Sequence, residues 1–330
     1  MHTETILPWQ KGLWESLIAR KKQNRLPHAL LFSGMDGSGK KEFAQHFANY
    51  LLCSTPEETG ACGHCRSCRL QHAKSHPDFM QVTLEEGAQF IKIDQIREVV
   101  SLVNGTAMLN GCRVLLIHPA SSMNMNSANA LLKTLEEPTA NTFLILICEQ
   151  GLRLPATISS RCQTVIFPKP ERELALAWLR AHANTSKMEE LSAVLDLANG
   201  GPLLARDFLM NDMLAVRRDL YDGLIQLNAG SADPMQFAQK WEDRDVKIIL
   251  HLLLSWMRDL LRFKLTESQT QLANPDYYSA IKQITTKWSQ ENIVNYGDLV
   301  QKMYALVLNA MNMNRQLLLK EIFIRWVKEC

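Results

Sequence analysis

The first half of the chain alternates short apolar runs with segments in which apolar residues recur every three or four positions. The alternation predicts β-strands separated by amphipathic helices, which is typical of a mainly parallel sheet covered by helices. The predicted strands are Ala29–Ser33, Asp78–Thr83, Arg113–His118, Thr142–Cys148 and Thr164–Phe167. The predicted helices between them are Lys41–Leu52, a segment that begins near Asp94, and a segment that stops before Pro138.

The pattern changes after Pro168 and Pro170. Residues 171–206 predict a small helical unit, and from about residue 208 onward the sequence predicts helices without strands. The long helical patterns in this last part are Val246–Leu265 and Leu299–Val327. We therefore expect an α/β domain at 1–167, a small helical domain at 168–207 and an all-helical domain at 208–330.

Composition and charge narrow the classes of protein. A length of 330 residues suggests two or three domains, and a formal net charge of +2 does not favour a protein that coats nucleic acid. The N-terminal residues lack the basic and apolar regions of a secretory signal. The longest apolar stretch, Ile248–Trp256, is too short to span a membrane. A cytosolic protein is expected.

A glycine-rich segment, Gly34–Lys41, lies between the first predicted strand and the first predicted helix. In this position, Gly34, Gly39 and Lys40 match a phosphate-binding loop, whose backbone amides and helix N-terminus bind phosphate oxygens. The next residue of such a loop normally carries a hydroxyl that binds magnesium, and here it is Lys41. The alternative is a glycine-rich turn with no function.

The residues that follow the third predicted strand bear on hydrolysis. Active ATPases with this loop place an acidic residue there to hold the metal, often with a glutamate beside it that activates water. This chain has His118, Pro119 and Ala120 instead. His118 is either a structural hydrogen-bonding residue or, less simply, a replacement base. The sequence therefore predicts no ATP hydrolysis, and it leaves open whether the loop still binds a nucleotide.

Four of the eight cysteines are crowded into a short segment, which in a reducing compartment indicates a metal site rather than disulfides. They are Cys53, Cys62, Cys65 and Cys68. Four thiolates favour tetrahedral structural zinc in a module at about 53–77, with an iron–sulfur cluster or unligated thiols as alternatives. The nearby histidines, which are interpreted as surface residues or residues behind the ligands, are His64, His72 and His76.

Arg161 lies in the segment Ser160–Cys162, just before the fifth predicted strand. An arginine beside an ATPase-like sheet has two interpretations. It is either an ordinary surface residue or an arginine finger, a side chain that enters the nucleotide site of a neighbouring subunit and stabilises the charge that develops during phosphoryl transfer. The residues alone do not decide between the two.

Several of these segments together resemble one known family. The chain resembles the delta-prime subunits of the bacterial DNA polymerase III clamp loader, which belong to the AAA+ group. The stretches that carry the resemblance are Leu26–Gly34, the four cysteines, His76–Asp78, Asn129–Pro138, Ser160–Cys162 and Asn314–Leu319. They extend over nearly the whole length, and Asn129–Pro138 together with Ser160–Cys162 is specific to clamp-loader subunits.

The resemblance implies an AAA+ ATPase-like domain with a zinc module, a small helical lid and a helical collar that holds an oligomeric ring together. It implies that Arg161 is a finger acting in trans, and that the subunit is a stator in a heteropentamer with gamma/tau-type ATPase subunits and a delta-type subunit. The complex would load the sliding clamp onto primed DNA as part of the DNA polymerase holoenzyme, with no intrinsic ATPase in this chain.

Two other functions are kept as alternatives. One is a catalytically active AAA+ clamp-loader ATPase, against which the missing carboxylates after the third strand argue. The other is a zinc-containing nucleic-acid-binding protein, which the balanced charge and the lack of a basic, aromatic-rich stripe do not favour. An ATPase assay and a DNA-binding assay on the purified chain distinguish the three.

Overall fold

The chain divides into two compact units, Met1–Ala175 and Leu176–Cys330, in a computed structural model. The structure describes residues 6–85, 88, 90–103, 105, 107–109, 111–149, 154–185, 187–269, 272–308 and 314–329. None of the helices described there is long and apolar enough to cross a lipid bilayer. The boundary between the two units lies within eight residues of the predicted end of the α/β domain. The separation of a lid from a collar inside the second unit stays a prediction.

A five-stranded parallel sheet forms the centre of the first unit. Its strands are β1 (Ala29–Gly34), β2 (Phe79–Val82), β3 (Arg113–Ile117), β4 (Thr142–Glu149) and β5 (Gln163–Ile166). They lie in the order β2-β3-β4-β1-β5. Leu31 of β1 is in register with Leu146 on one side and with Thr164 on the other. The predicted mixed α/β fold with a parallel sheet is confirmed, and each predicted strand is found within two residues of its expected ends.

Helices cover both faces of the sheet and bury two apolar cores. They are α1 (Lys11–Lys22), α2 (Lys40–Leu52), α3 (Arg66–His72), α4 (Ile93–Val103), α5 (Met125–Glu136) and α6 (Ala156–Ser159). One core joins β1 to the aromatic side chains of α1 and α2, including Trp14, Phe43 and Phe47. The other core joins β3 and β4 to α4 and α5. Because parallel strands are buried on both faces, β3 is apolar after its first residue and buried along its whole length.

A buried ion pair fixes the connection between α4 and β3. Asp78 is 1% exposed, and its carboxylate accepts hydrogen bonds from the backbone amides of Met108 and Leu109 at 2.8 and 2.7 Å. Arg113 lies 3.5 Å from the same carboxylate and donates to the carbonyl oxygen of Val103 at 2.8 Å. Each partner therefore has the hydrogen bonds that a buried charge requires. The aspartate of the segment His76–Asp78 thus has a structural role.

The described residues of the second unit form helices and the segments that connect them, without strands. Its helices are α7 (Arg172–His182), which begins in the first unit, α8 (Met188–Leu197), α9 (Pro202–Met210), α10 (Met213–Asn228), α11 (Pro234–Lys240), α12 (Val246–Thr266), α13 (Tyr278–Lys287), α14 (Gln290–Leu308) and α15 (Arg315–Glu329). The long pattern predicted from Leu299 to Val327 therefore falls on α14 and α15, and its middle residues, 309–313, lie outside the described residues.

Helix α12 is the most buried long helix of this unit and packs against α13 and α14. It begins at Asp245, whose side chain accepts a hydrogen bond from the Lys247 amide and so caps the helix. Trp256 of α12 and Trp326 of α15 are both fully buried, and the Trp326 indole donates to the carbonyl oxygen of Leu224 at 3.1 Å. These tryptophans belong to the core of the unit.

Candidate functional site

The glycine-rich loop connects β1 to α2, which is the position of a phosphate-binding loop. Gly37 and Gly39 have φ angles of 70° and 84°, in the left-handed region that side chains with a Cβ atom rarely adopt. A Cβ atom on Gly34 would lie 2.8 Å from the Cβ atom of Phe167, which is too close for two carbon atoms. The backbone of the loop thus depends on glycine at three positions, two of which are the predicted Gly34 and Gly39.

Two charged side chains of this loop bind the backbone of the loop itself. The Lys40 ammonium donates to the carbonyl oxygen of Met35 at 2.7 Å, and Lys40 is only 6% exposed. The Asp36 carboxylate accepts from the Gly37 amide at 2.7 Å. Burial is the main cause that lowers the pKa of Lys40, and the carboxylates of Asp36 and Glu149 oppose it. The lysine is therefore directed toward the backbone rather than toward open solvent.

The segment that precedes α1 covers the same loop. The Gln10 side-chain amide, 1% exposed, donates to the carbonyl oxygens of Ser38 and Gly39 at 2.9 and 3.0 Å. The Trp9 indole donates to the Ser38 carbonyl oxygen at 2.9 Å. These hydrogen bonds attach the N-terminal segment to the backbone of the loop and cover it. They were not predicted from the sequence, because no local pattern connects Trp9 and Gln10 to a loop almost thirty residues later.

His118 lies at the end of β3, where an active ATPase carries its acidic residue. Its Nδ1 atom is buried and has no hydrogen-bond partner in the described structure. Of the two roles considered from the sequence, a structural hydrogen bond through Nδ1 is therefore not seen. Burial first, and then the charges of Lys41 and Lys40, lower the pKa of His118 to about 4. A neutral imidazole of such low basicity is a poor general base near pH 7.

The pH dependence of stability tests whether the pKa of His118 is lowered in the folded chain. Because the pKa of His118 is lower in the folded chain than in the unfolded chain, the unfolded state binds more protons between about pH 6.5 and about pH 4. The contribution of His118 to stability is therefore complete above about pH 6.5 and decreases as the pH falls through this window. We expect the urea midpoint to fall more between pH 7 and pH 5 in the wild-type chain than in His118→Gln. Equal changes in the two proteins would contradict this environment for His118.

The four clustered cysteines meet in space, and their sulfur atoms all lie within 4.8 Å of one another. The separations are 3.9 Å for Cys53–Cys65, 3.9 Å for Cys62–Cys68, 3.4 Å for Cys65–Cys68 and 3.6 Å for Cys68–Cys53. A tetrahedral zinc ion with Zn–S bonds of about 2.3 Å places its sulfur ligands about 3.8 Å apart. The four thiols therefore have the spacing that a single metal ion requires.

The backbone around the cysteines is arranged for negatively charged sulfur. The amides of Cys62, Cys65 and Cys68 point at the sulfur atoms of the preceding cysteines at 3.3–3.4 Å. Cys65 also caps α3, and the Ser67 hydroxyl in that helix donates to the carbonyl oxygen of Leu52 at 2.7 Å. Such bonds stabilise thiolates and fix the ligand-bearing turns.

His76 supports this segment from behind the ligands. It is 6% exposed, its Nε2 atom is 2.5 Å from the Ser67 hydroxyl oxygen, and its Nδ1 atom accepts from the Asp78 amide at 3.1 Å. Of the two interpretations considered for His76, a surface position is thus wrong and a position behind the ligands is correct. His64 and His72 are exposed.

Arg161 lies at the turn between α6 and β5, with 36% of its side chain exposed. Its Nε atom donates to Oε1 of Glu136 at 2.7 Å, and its Nη2 atom contacts the same oxygen. Nη1 donates to the carbonyl oxygen of Thr157 at 2.9 Å. The guanidinium group is therefore held in one orientation while part of it faces solvent. Sequence reasoning identified Arg161 but not its partner Glu136.

The fold, the loop, the cysteine cluster and Arg161 together define a class of protein. A parallel sheet carries a loop of the phosphate-binding type, a metal-type cysteine cluster and an exposed arginine, but the segment after β3 lacks the carboxylates of an ATPase. The chain is thus an α/β protein whose β1–α2 loop is of the phosphate-binding type.

Comparisons with known proteins identify the family. The family described as DNA polymerase III, delta subunit, matches residues 9–171, and the one described as DNA polymerase III, delta subunit, C terminal, matches residues 211–328. The DNA polymerase III subunit delta' of Pseudomonas aeruginosa is 35% identical over 97% of both chains. That of Escherichia coli is 30% identical over 96% of this chain and 94% of its own length. The chain belongs to the family of DNA polymerase III delta-prime subunits.

Part of the chain also resembles a second type of polymerase subunit. The DNA polymerase III subunit tau/gamma of Haemophilus influenzae is 36% identical over 153 residues, which is 46% of this chain and 22% of that protein.

Proposed function

We propose that this chain is a non-hydrolysing subunit of the clamp loader of DNA polymerase III, which places the sliding clamp on primed DNA. In this role the chain is a stator: it contributes fixed surfaces and one catalytic side chain to a ring in which other subunits hydrolyse ATP. The family membership supports the assignment to the polymerase. The residues of the loop, the end of β3 and Arg161 support a role in which other subunits hydrolyse ATP.

The loop and the end of β3 lack residues that ATP hydrolysis requires. The residue after Lys40 is Lys41, which has no hydroxyl for magnesium, and His118 and Pro119 stand where carboxylates are needed. A bound nucleotide would also have to take Lys40 from the carbonyl oxygen of Met35. We propose that Gly34, Gly39 and Lys40 form a vestigial phosphate loop, in which glycine is kept for the shape of the backbone.

The observation that carries the proposal is the state of Arg161. Its guanidinium group is part-exposed and oriented by Glu136 and by the Thr157 carbonyl oxygen. The sequence after β3 has His118, Pro119 and Ala120 where the carboxylates of a hydrolytic site would stand. An oriented cation at a surface is suited to stabilise charge on a phosphate held by another subunit. We propose that Arg161 acts in trans on the ATP of an adjacent gamma/tau-type subunit.

The metal that we propose for the cysteine cluster is zinc. Its four sulfur atoms have tetrahedral spacing, and four thiolates complete the coordination shell and leave no position for a substrate. The ion would therefore stabilise the excursion between α2 and β2 and take no part in a reaction. Cys53, which ends α2, would join this module to the sheet-covering helix.

The assembly that we propose is a heteropentamer with gamma/tau-type and delta-type subunits in the cytoplasm. Residues 1–167 would form the AAA+ domain, 168–207 the helical lid and 208–330 the collar through which the subunits associate. Contact with the sliding clamp and with primed DNA would be made through the complex.

The test combines an ATPase assay with reconstitution. The isolated chain is expected to hydrolyse no ATP above the background of a Lys40→Ala control, and to restore clamp loading when added to gamma/tau-type and delta-type subunits that lack it. ATP turnover by the isolated chain that Lys40→Ala abolishes would identify an active ATPase instead. Tight, salt-sensitive DNA binding by the isolated chain that is lost with the metal would identify a nucleic-acid-binding protein.

A further inference from the structure

The Arg161 guanidinium group makes more contacts than a simple surface ion pair with Glu136 would provide. One carboxylate oxygen of Glu136 accepts from two nitrogen atoms of the same guanidinium group, Nε and Nη2. The third guanidinium nitrogen, Nη1, is bound to the carbonyl oxygen of Thr157. Three convergent contacts fix both the position of the group and the rotation of its plane.

The two residues that hold the guanidinium group belong to a rigid part of the first unit. Glu136 is the last residue of α5, directly after Leu135, which is 2% exposed in the core. Thr157 lies in α6 beside Ile158, which is fully buried. The backbone at both positions is therefore anchored beside the core, while the Glu136 side chain itself is 49% exposed.

The position of Glu136 is unfavourable for an acidic residue in an isolated helix. The C-terminal end of a helix carries a partial negative charge, so that a carboxylate in the last turn is repelled. Glu136 occupies this position in α5, and the helix is followed by a second acidic residue, Glu137. Lys133 lies in the same turn of α5, and Arg161 adds a second cation, which lies against Glu136 and not against Glu137 in the described contacts.

The contacts of Arg161 leave some of its N–H groups available to a ligand. A guanidinium group has five N–H groups. Glu136 accepts from one on Nε and one on Nη2, and Thr157 accepts from one on Nη1. One N–H group on each terminal nitrogen is left, a pair suited to two oxygen atoms of a phosphate. The contacts hold the arginine without using this pair.

We propose that Glu136 is the positioning residue of the arginine finger: its carboxylate holds the inner edge of the Arg161 guanidinium group, so that the outer N–H groups face the phosphates of the adjacent subunit. The inference depends on the proposed role of Arg161 in trans. Glu136 touches no nucleotide itself and acts only through Arg161. Without it, the arginine must be ordered each time the neighbouring site reaches its transition state.

The experiment uses the reconstituted complex of full-length subunits and rapid-quench measurement of ATP hydrolysis in the first turnover. Arg161→Ala defines the ATP equivalent that depends on the finger. Glu136→Gln is expected to slow that equivalent about tenfold while the ATP concentration for half-maximal amplitude changes less than about twofold, because orientation is lost but binding is not. Glu137→Gln, the same change one residue later, is the matched control and is expected to behave as the wild type.

A double-substitution cycle separates positioning from a structural role. When Arg161 is already alanine, Glu136→Gln should cause no further loss, because the two residues act as one unit. A further loss of the same size would show that Glu136 acts independently of Arg161 and would overturn the inference. So would faster hydrolysis in Glu136→Gln, because it would mean that the carboxylate restrains the arginine.

The failure of the inference and the failure of the proposed function give different results. If Arg161→Ala leaves the first turnover unchanged, the finger role itself is wrong and the positioning role falls with it. If Arg161→Ala removes one ATP equivalent but Glu136→Gln and Glu137→Gln both match the wild type, only the positioning role is wrong. Thermal unfolding of each variant and its incorporation into the complex show whether folding and assembly are intact.

Discussion

Replacement of Arg161 by alanine is expected to slow hydrolysis at one site of the assembled clamp loader by about 10³-fold or more, the usual effect of removing an arginine finger. The loss should appear as the disappearance of one ATP equivalent from the first-turnover burst, together with a fall in the rate of clamp loading onto primed DNA. The physical reason is that no other group replaces the charge that Arg161 brings to the developing transition state. Sites served by other subunits should keep their rates.

The control for this experiment is Arg20→Ala, which removes an exposed arginine from α1 in the same unit. Both variants should enter the complex normally, because an exposed ion pair such as Arg161–Glu136 contributes only about 0.2–1 kcal/mol to stability. A complex that contains Arg161→Ala and hydrolyses ATP like the wild type, with the variant incorporated, would exclude the finger.

The second large effect is expected from Cys65→Ser. The wild-type chain should contain about one zinc ion, and the variant should contain almost none, because three thiolates and a hydroxyl no longer form a closed tetrahedral site. Since metal binding at such sites contributes to folding directly, the segment from Cys53 to His72 should become sensitive to proteases. Elemental analysis by mass spectrometry measures the first change, and limited proteolysis measures the second.

Cys112→Ser makes the same exchange of sulfur for oxygen at a buried cysteine outside the cluster. This control should keep its zinc, even if the exchange lowers stability. Iron together with visible absorbance in the wild-type chain would identify an iron–sulfur cluster instead. Wild-type chain that contains no metal after purification without chelators would contradict a metal site.

The sheet and its helices were predictable because buried parallel strands and amphipathic helices leave strong local patterns. β3 is apolar in all but its first residue, and α4 places Ile96, Val99 and Val103 on one face. Helix α1 was not predicted, because its few buried residues, among them Trp14 and Leu17, form only a narrow stripe on a polar segment. A short stripe gives a weak periodic signal.

The candidate sites were predictable only where their residues are close in sequence or have unmistakable chemistry. The cysteines and the loop Gly34–Lys41 meet this condition, since spacing alone indicates the type of site. The contact of Arg161 with Glu136 joins residues that are 25 positions apart, on α5 and after α6. Which of two adjacent glutamates would face the arginine depends on where α5 ends, and helix ends are the least certain part of a sequence-based prediction.

Because Trp9 contacts the glycine-rich loop, this part of the molecule contains a natural fluorophore. Indole emission responds to the polarity and hydrogen bonding of its surroundings, and the Trp9 N–H group is bound to the carbonyl oxygen of Ser38. Other tryptophans, such as Trp256, Trp288 and Trp326, are fully buried in the second unit, far along the chain from the loop. Because Trp14 of α1 also lies in the first unit, the difference in emission between the wild-type chain and Trp9→Phe reports whether the loop is covered.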